Sequence, residues 1–111
     1  MSFCVVLVTL PTAKVAQKLA RNLVRRKLAA CVNIISNATS IYRWEGRINK
    51  DRELLLIIKT RTTIFKKLSA FITTNHPAQV PEIIRVPIMG GNPTYIDWLA
   101  DNTISSKRKH Q

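Results

Sequence analysis

The sequence predicts an α+β domain: two helices on one face of an antiparallel four-stranded sheet, with a long hairpin projecting from it. Three observations carry this expectation. Phe3–Leu10 (FCVVLVTL) is an almost unbroken apolar, β-branched run followed at once by a helical repeat. Residues 30–60 read as two long strands joined by a tight turn. A second helical stripe and a fourth strand-like run then follow, which gives the order β-α-β-β-α-β.

Each element has its own grounds. Phe3–Leu10 reads as a central strand buried on both faces. Pro11 ends it, and Thr12 is placed to cap a helix from Ala13 to Leu28. Within that helix Val15, Ala16, Leu19, Ala20, Leu23, Val24 and Leu28 fall at helical spacing, with Lys and Arg opposite. Val32, Ile34 and Ile35 open the first hairpin strand, and Ile41–Trp44 continue it past the polar break Ser36–Thr39. Gly46 supplies the backbone freedom to reverse or bulge, Asn49-Lys50-Asp51 are polar enough to sit in water, and the aliphatic run Leu54–Ile58 returns, closed by Lys59-Thr60. Such a hairpin exceeds the usual strand length of roughly five or six residues and should protrude beyond its own core. Tyr42, Trp44 and the aliphatic run then need cover, and a second copy of the chain supplies it most simply.

Thr62 or Thr63 is expected to cap a second helix, with Ile64, Phe65, Leu68, Phe71 and Ile72 as its buried stripe and Asn75-His76-Pro77 as its stop. After an extended loop from Pro77 to Pro81, Glu82–Met89 reads as the fourth strand, and Pro87 argues for an edge position or a bulge. Gly90-Gly91 turns the chain, and Asn92-Pro93 opens a short third helix carrying Tyr95, Ile96, Trp98 and Leu99. The whole is a ferredoxin-like pattern with a short C-terminal helix. The domain is expected to run from 1 to 103, with 104–111 as a basic, disordered tail.

A chain of 111 residues that is 46% hydrophobic supports one core. No apolar run approaches the roughly twenty residues needed to cross a bilayer, so no membrane partner is expected. The N-terminus enters a strand-like run without a charged leader, and the expected location is cytoplasmic. Cys4 and Cys31 lie in apolar strand surroundings and should be reduced. Without a C-x-x-C motif or a clustered Cys/His set, a structural zinc site is set aside. Eighteen Lys and Arg against six acids give a net charge of +12. Such an excess is one footprint of nucleic-acid binding. Here part of the charge lies on the first helix, part at Lys66-Lys67 and part in the tail Lys107-Arg108-Lys109, over several elements. That scatter favours a solvated surface with nonspecific, salt-sensitive attraction to polyanions.

Several segments carry a resemblance. KLAACVN (27–33), YRWEG (42–46), LIIKT (56–60), His76-Pro77-x-x-Val80-Pro81-Glu82-Ile83-Ile84 and Tyr95-x-x-Trp98-Leu99 resemble, in order, the CutA family, named for divalent-cation tolerance. The resemblance implies a ferredoxin-like subunit in a tight homotrimer, built by intersubunit pairing of the long hairpin strands. It also implies binding of copper or another divalent cation and a response to metal ions. The fold is similar to that of the trimeric PII signalling proteins, so a small-ligand sensor, or a protein scaffold without a metal site, is the alternative. No established catalytic activity comes with the family. Members proposed to bind copper carry a cysteine late in the first strand, where Val8 stands here, and a histidine pair where this chain has Asn75-His76. Ala78 replaces the aromatic residue common in the following loop.

The candidate residues follow. His76 remains of that constellation and is the candidate metal ligand; the competing reading is a loop histidine bonded to backbone. Cys31 would suit Cu(I) as a thiolate, against a core position, and Met89 is a soft donor against simple packing. Trp44, Glu53, Lys59 and Glu82 are expected to line an intersubunit cleft. Glu53 and Lys59 fall on one side of a regular strand, and a buried Lys59 needs a partner. A Glu–Lys pair would serve either a small polar ligand or the interface itself. Tyr42 and Trp44 share one face of the hairpin as trimer-interface anchors, against a base-stacking platform. An RNA-recognition module would show aromatics on both central strands, whereas Phe3–Leu10 has one at its start and Leu54–Ile58 has none. No triad motif and no catalytic carboxylate pair is recognisable, so the chain is expected not to be an enzyme.

Overall fold

The computed structural model describes residues 1–104. Its elements are β1 (Phe3–Leu10), α1 (Ala13–Arg25), β2 (Cys31–Trp44), β3 (Arg47–Arg61), a 3₁₀ turn (Thr62–Ile64), α2 (Phe65–Asn75), β4 (Ile83–Ile88) and α3 (Pro93–Asp101). The sheet order is β2-β3-β1-β4, with every pairing antiparallel. This is the expected ferredoxin-like arrangement. Pro87 sits on the edge strand β4, where a missing N–H costs no ladder bond to a further strand.

Alternation along the strands decides what is buried. Cys4, Val6, Val8 and Leu10 of β1 and Leu56 and Ile58 of β3 point to one face, where they meet Ala16, Leu19 and Leu23 of α1 and Leu68 and Ile72 of α2. Fully burying each Leu, Ile or Val stabilises by about 1.5–3 kcal/mol, so this face holds the core together. The other face behaves differently. Only its Phe3 end is covered, by Leu99, Ile96 and Ala100 of α3. Val5, Leu7 and Thr9 remain half-buried in the single chain, so β1 is not buried on both faces as its composition suggested. Both large helices lie on one side, and the nine residues of α3 are too few to cover the other.

α1 starts as read, with the Thr12 hydroxyl accepting from the Val15 N–H at 3.3 Å. It ends at Arg25, three residues before the expected Leu28. Lys27 takes φ 58°, and the N–H groups of Lys27 and Leu28 return to the carbonyls of Val24 and Leu23. That is a Schellman stop with lysine where glycine is usual. Thr62 and Thr63 do not cap α2: the chain first makes a 3₁₀ turn, and the Thr62 hydroxyl accepts from Ser2 instead. Asn92 does cap α3, accepting from the Thr94 N–H at 3.0 Å.

The hairpin is longer and more regular than its sequence suggested. The break at Ser36–Thr39 is a β-bulge inside one continuous strand: Ile35 faces Leu55, yet Ala38 faces Glu53. Asn37 adopts φ 64°, a conformation asparagine tolerates better than most side chains. Asn49, Lys50 and Asp51 belong to β3, and the reversal is the two-residue turn Glu45-Gly46, both at positive φ as a type I′ turn requires. Leu10 is the last residue of β1 to pair, opposite Leu54, so residues 47–53 extend beyond the sheet with β2 alone. At ~3.3 Å per residue that is about 23 Å of free ribbon. It accounts for the 50 Å long axis of a molecule 28 by 25 Å across.

Ile104 belongs to the folded part, its N–H bonded to the Lys27 carbonyl at 2.9 Å; the rest of the expected tail lies outside the described residues. Leu56, fully buried in mid-sheet, reports on the core. Leu56→Ala should lower the unfolding free energy by about 2–5 kcal/mol in urea titrations at fixed protein concentration; a loss under about 1 kcal/mol would contradict this packing.

Candidate functional site

Where the hairpin leaves the sheet, it forms a cleft of about 670 Å³ with the loop that precedes β4. Tyr42, Trp44 and Glu53 come from the hairpin, Thr9 from the end of β1, and His76 and Glu82 from the loop. The bulge makes this possible. One extra residue in β2 reverses its alternation, so Tyr42 and Trp44 fall on the face of Asp51 and Glu53 rather than on the helix side. Asp51 accepts a hydrogen bond from the Tyr42 hydroxyl and thereby holds the phenol above its ordinary 10.0. Glu53 is half-buried, Glu82 exposed, and Trp44 keeps 39% of its surface in solvent. Among the described lining residues there is no lysine or arginine.

Lys59 is not part of this cleft. It shares a face with Glu53, but six residues of extended strand place them roughly 20 Å apart. Its ammonium instead donates to the Asn33 side-chain oxygen and lies 3.9 Å from the Cys31 sulfur. The expected Glu53–Lys59 pair therefore does not form within one subunit. Asn33 was invisible as its partner because only the register places it beside Ile57, two residues from Lys59 on the same strand.

His76 is held through both ring nitrogens. Nε2 lies 2.7 Å from the Thr9 carbonyl oxygen, and Nδ1 accepts from the Ala78 N–H at 3.0 Å. The second bond requires a bare Nδ1, so the ring is the Nε2–H tautomer that donates to Thr9. Its role here is to tie the loop to the end of β1. Cys31 is half-buried on the open sheet face rather than in the helix-side core, and it contacts Tyr95, whose hydroxyl ionises above its ordinary 10.0, mainly through burial. Met89 is 92% exposed, which excludes the packing role within a single chain. Thr9, Ser40 and Gln79 complete the cleft without any signal in the sequence, because their positions depend on the loop docking against the hairpin.

A family model described as "CutA1 divalent ion tolerance protein" matches residues 4–102. The chain belongs to the CutA family. The divalent-cation tolerance protein CutA of Thermus thermophilus is 52% identical over 99 residues, which cover 89% of this chain and 96% of that one. The chloroplastic protein CutA of Arabidopsis thaliana is 46% identical over 99 residues, 89% of this chain, and the match spans 54% of its length. Among solved structures, the divalent cation tolerance protein Cut A1 from Thermus thermophilus superimposes with a TM-score of 0.89 at 50% identity, covering 91% of this chain and 98% of that one. CutA1 from Oryza sativa gives 0.93 at 43% identity, covering 96% and 97%.

A CutA family member invites the question of where a divalent cation would be held. The carboxylates of Glu53 and Glu82 are donors of a suitable kind. In number, one subunit falls short: among the described residues no three His, Cys, Asp or Glu side chains are grouped to hold a metal ion. Both ring nitrogens of His76 are committed to backbone partners, and Cys31 lies at the far end of the sheet, beside Lys59.

Two outcomes check this geometry. His76→Ala removes both loop bonds and should lower stability by about 1–3 kcal/mol in urea unfolding; an unchanged midpoint would mean the loop is not tied through His76. Asp51→Asn should return the Tyr42 ionisation toward 10.0, followed by tyrosinate absorbance in alkali. The sign follows from the raised value: the bond stabilises the fold below the ordinary value and is lost as pH rises through the folded one. An unmoved titration would remove the bond from the account.

Proposed function

We propose that the protein is a self-associating divalent-cation tolerance protein that works by binding rather than catalysis, as a homotrimer in the cytoplasm. The observation that carries the cation reading is the cleft itself. In a chain of net charge +12, it is lined by Glu53 and Glu82 beside Tyr42 and Trp44, without a basic residue among its described lining. Such a site attracts cations and repels small anions. Family membership supports a divalent ion, with copper the first to try. Since one subunit supplies too few ligands, the ion is expected between subunits.

Self-association is supported by what a single chain leaves uncovered. Ile35, Ile84 and Val86 on the open face and Ile41, Tyr42, Trp44 and Ile48 on the hairpin are all exposed, Ile41 by 69%. β2 is moreover an edge strand of 14 residues, a template for pairing with another chain. Three copies closing on one another would cover both features.

A second reading rests on the size of the same cleft. About 670 Å³ with two aromatic walls would also take a small organic cation, which would make the protein a small-ligand sensor. Light scattering joined to a copper titration in salty buffer tests both. A mass of three chains is expected, with saturable copper binding weakened at least tenfold in Glu53→Gln/Glu82→Gln. Trimers that bind no copper would leave the small-ligand reading, and a monomer would overturn the assembly.

A further inference from the structure

The fold gathers cations that the sequence scatters. The six acids are Glu45, Asp51, Glu53, Glu82, Asp97 and Asp101; residues 1–44 and 54–81 contain none. Both helices of the layer over the core, α1 and α2, are therefore free of carboxylates. Along α1, Lys14, Lys18, Arg21 and Arg25 recur at spacings of 4, 3 and 4, all exposed. At ~100° per residue they form a stripe about 60° wide, opposite the buried Ala16, Leu19, Ala20 and Leu23. The stripe is about 17 Å long at ~1.5 Å per residue.

The same side carries more. Lys66 and Lys67 are exposed on α2, and Arg26 lies over the Phe71 ring at 4.7 Å, which joins the end of α1 to α2. On the hairpin, strand alternation sends Lys50 and Arg52 to the helix side and Asp51 and Glu53 to the cleft side. α3, with Asp97 and Asp101, packs on the opposite sheet face. One side of the sheet is thus cationic, and the other carries most of the acids.

We propose that the outer face of α1 and α2, with the helix side of the hairpin, docks the phosphate backbone of double-stranded nucleic acid without reading its sequence. Charge complementarity is the first ground: three of the cations are the guanidiniums of Arg21, Arg25 and Arg26, which suit phosphate oxygens. The second is what the face lacks. Among the described residues the only large hydrophobic exposed on either helix is Val24, so the helices themselves offer a bilayer nothing to insert; Ile41 and Ile48, exposed on the helix side of the hairpin, stand opposite Lys50 and Arg43 in the register. Tyr42 and Trp44 lie on the cleft side, so no aromatic platform is offered to unstacked bases. Self-association through the open sheet face would leave this layer outside.

The test is fluorescence anisotropy of a labelled duplex of arbitrary sequence with the full chain, across a salt series. Lys18→Gln/Arg21→Gln/Arg25→Gln removes three charges from the stripe, and Lys107→Gln/Arg108→Gln/Lys109→Gln removes three from the C-terminus. Each neutralised phosphate contributes about 0.9 to the slope of log affinity against log salt. The stripe variant should therefore flatten that slope by about 2.7 and weaken binding at least tenfold near 100 mM salt. The C-terminal variant should stay within about threefold of the parent. Equal losses in the two variants would mean that net charge or the C-terminus, not this face, does the binding. An absence of duplex binding by the parent, or binding confined to phosphatidylserine vesicles, would equally overturn the proposal.

Discussion

The extra residue in β2 at Ser36–Asn37 decides where the functional side chains point, because side-chain direction in a strand has a period of two. Upstream of it, Val32 and Ile34 join the core beneath the helices. Downstream, the same parity serves the opposite face, and Tyr42 and Trp44 arrive beside Asp51 and Glu53 instead of over the helix layer. β3 runs past without interruption, so its even residues stay on the helix side from Lys50 through Ile58. The offset requires a positive φ at Asn37, and it falls on a residue whose side chain tolerates it.

From that offset follows a molecule with two unlike sides. The helix side is closed over an apolar core and presents cations outward. The other side is apolar and open, except where α3 covers the Phe3 end, and it holds the acid-lined cleft at the root of the hairpin. Apolar surface left in water, a long unpaired edge and a locally negative pocket on a strongly basic chain are separate physical facts. They favour assembly on one side of the sheet and polyanion contact on the other.

The cleft also shows side chains of the family pattern taking structural partners within one chain. His76 keeps its place before Pro77, yet its ring commits both nitrogens to the backbone of Thr9 and Ala78. Lys59 keeps its place after the aliphatic run, yet it turns to Asn33 and Cys31. The acidic residues that converge with Trp44 are Glu53 and Glu82, which make the cleft locally negative.

Much of the fold was legible in local chemistry. The apolar period marked β1 and α1, the Thr12 and Asn92 caps set two helix starts, and Pro87 marked an edge. Those signals survive because each depends on neighbours within one turn or one strand. The Schellman stop at Lys27 and the 3₁₀ entry to α2 escaped because hydrogen bonds, not residue preference, made them. The one-sided burial of β1 escaped for another reason: its apolar run is the same whether helices or a second subunit cover the far face. Charge is the clearest case. Chain order alone shows that residues 1–44 and 54–81 hold no acids. Folding brings α1 and α2 of those segments to one side of the sheet, because strand parity and helix packing, not chain order, set which charges become neighbours.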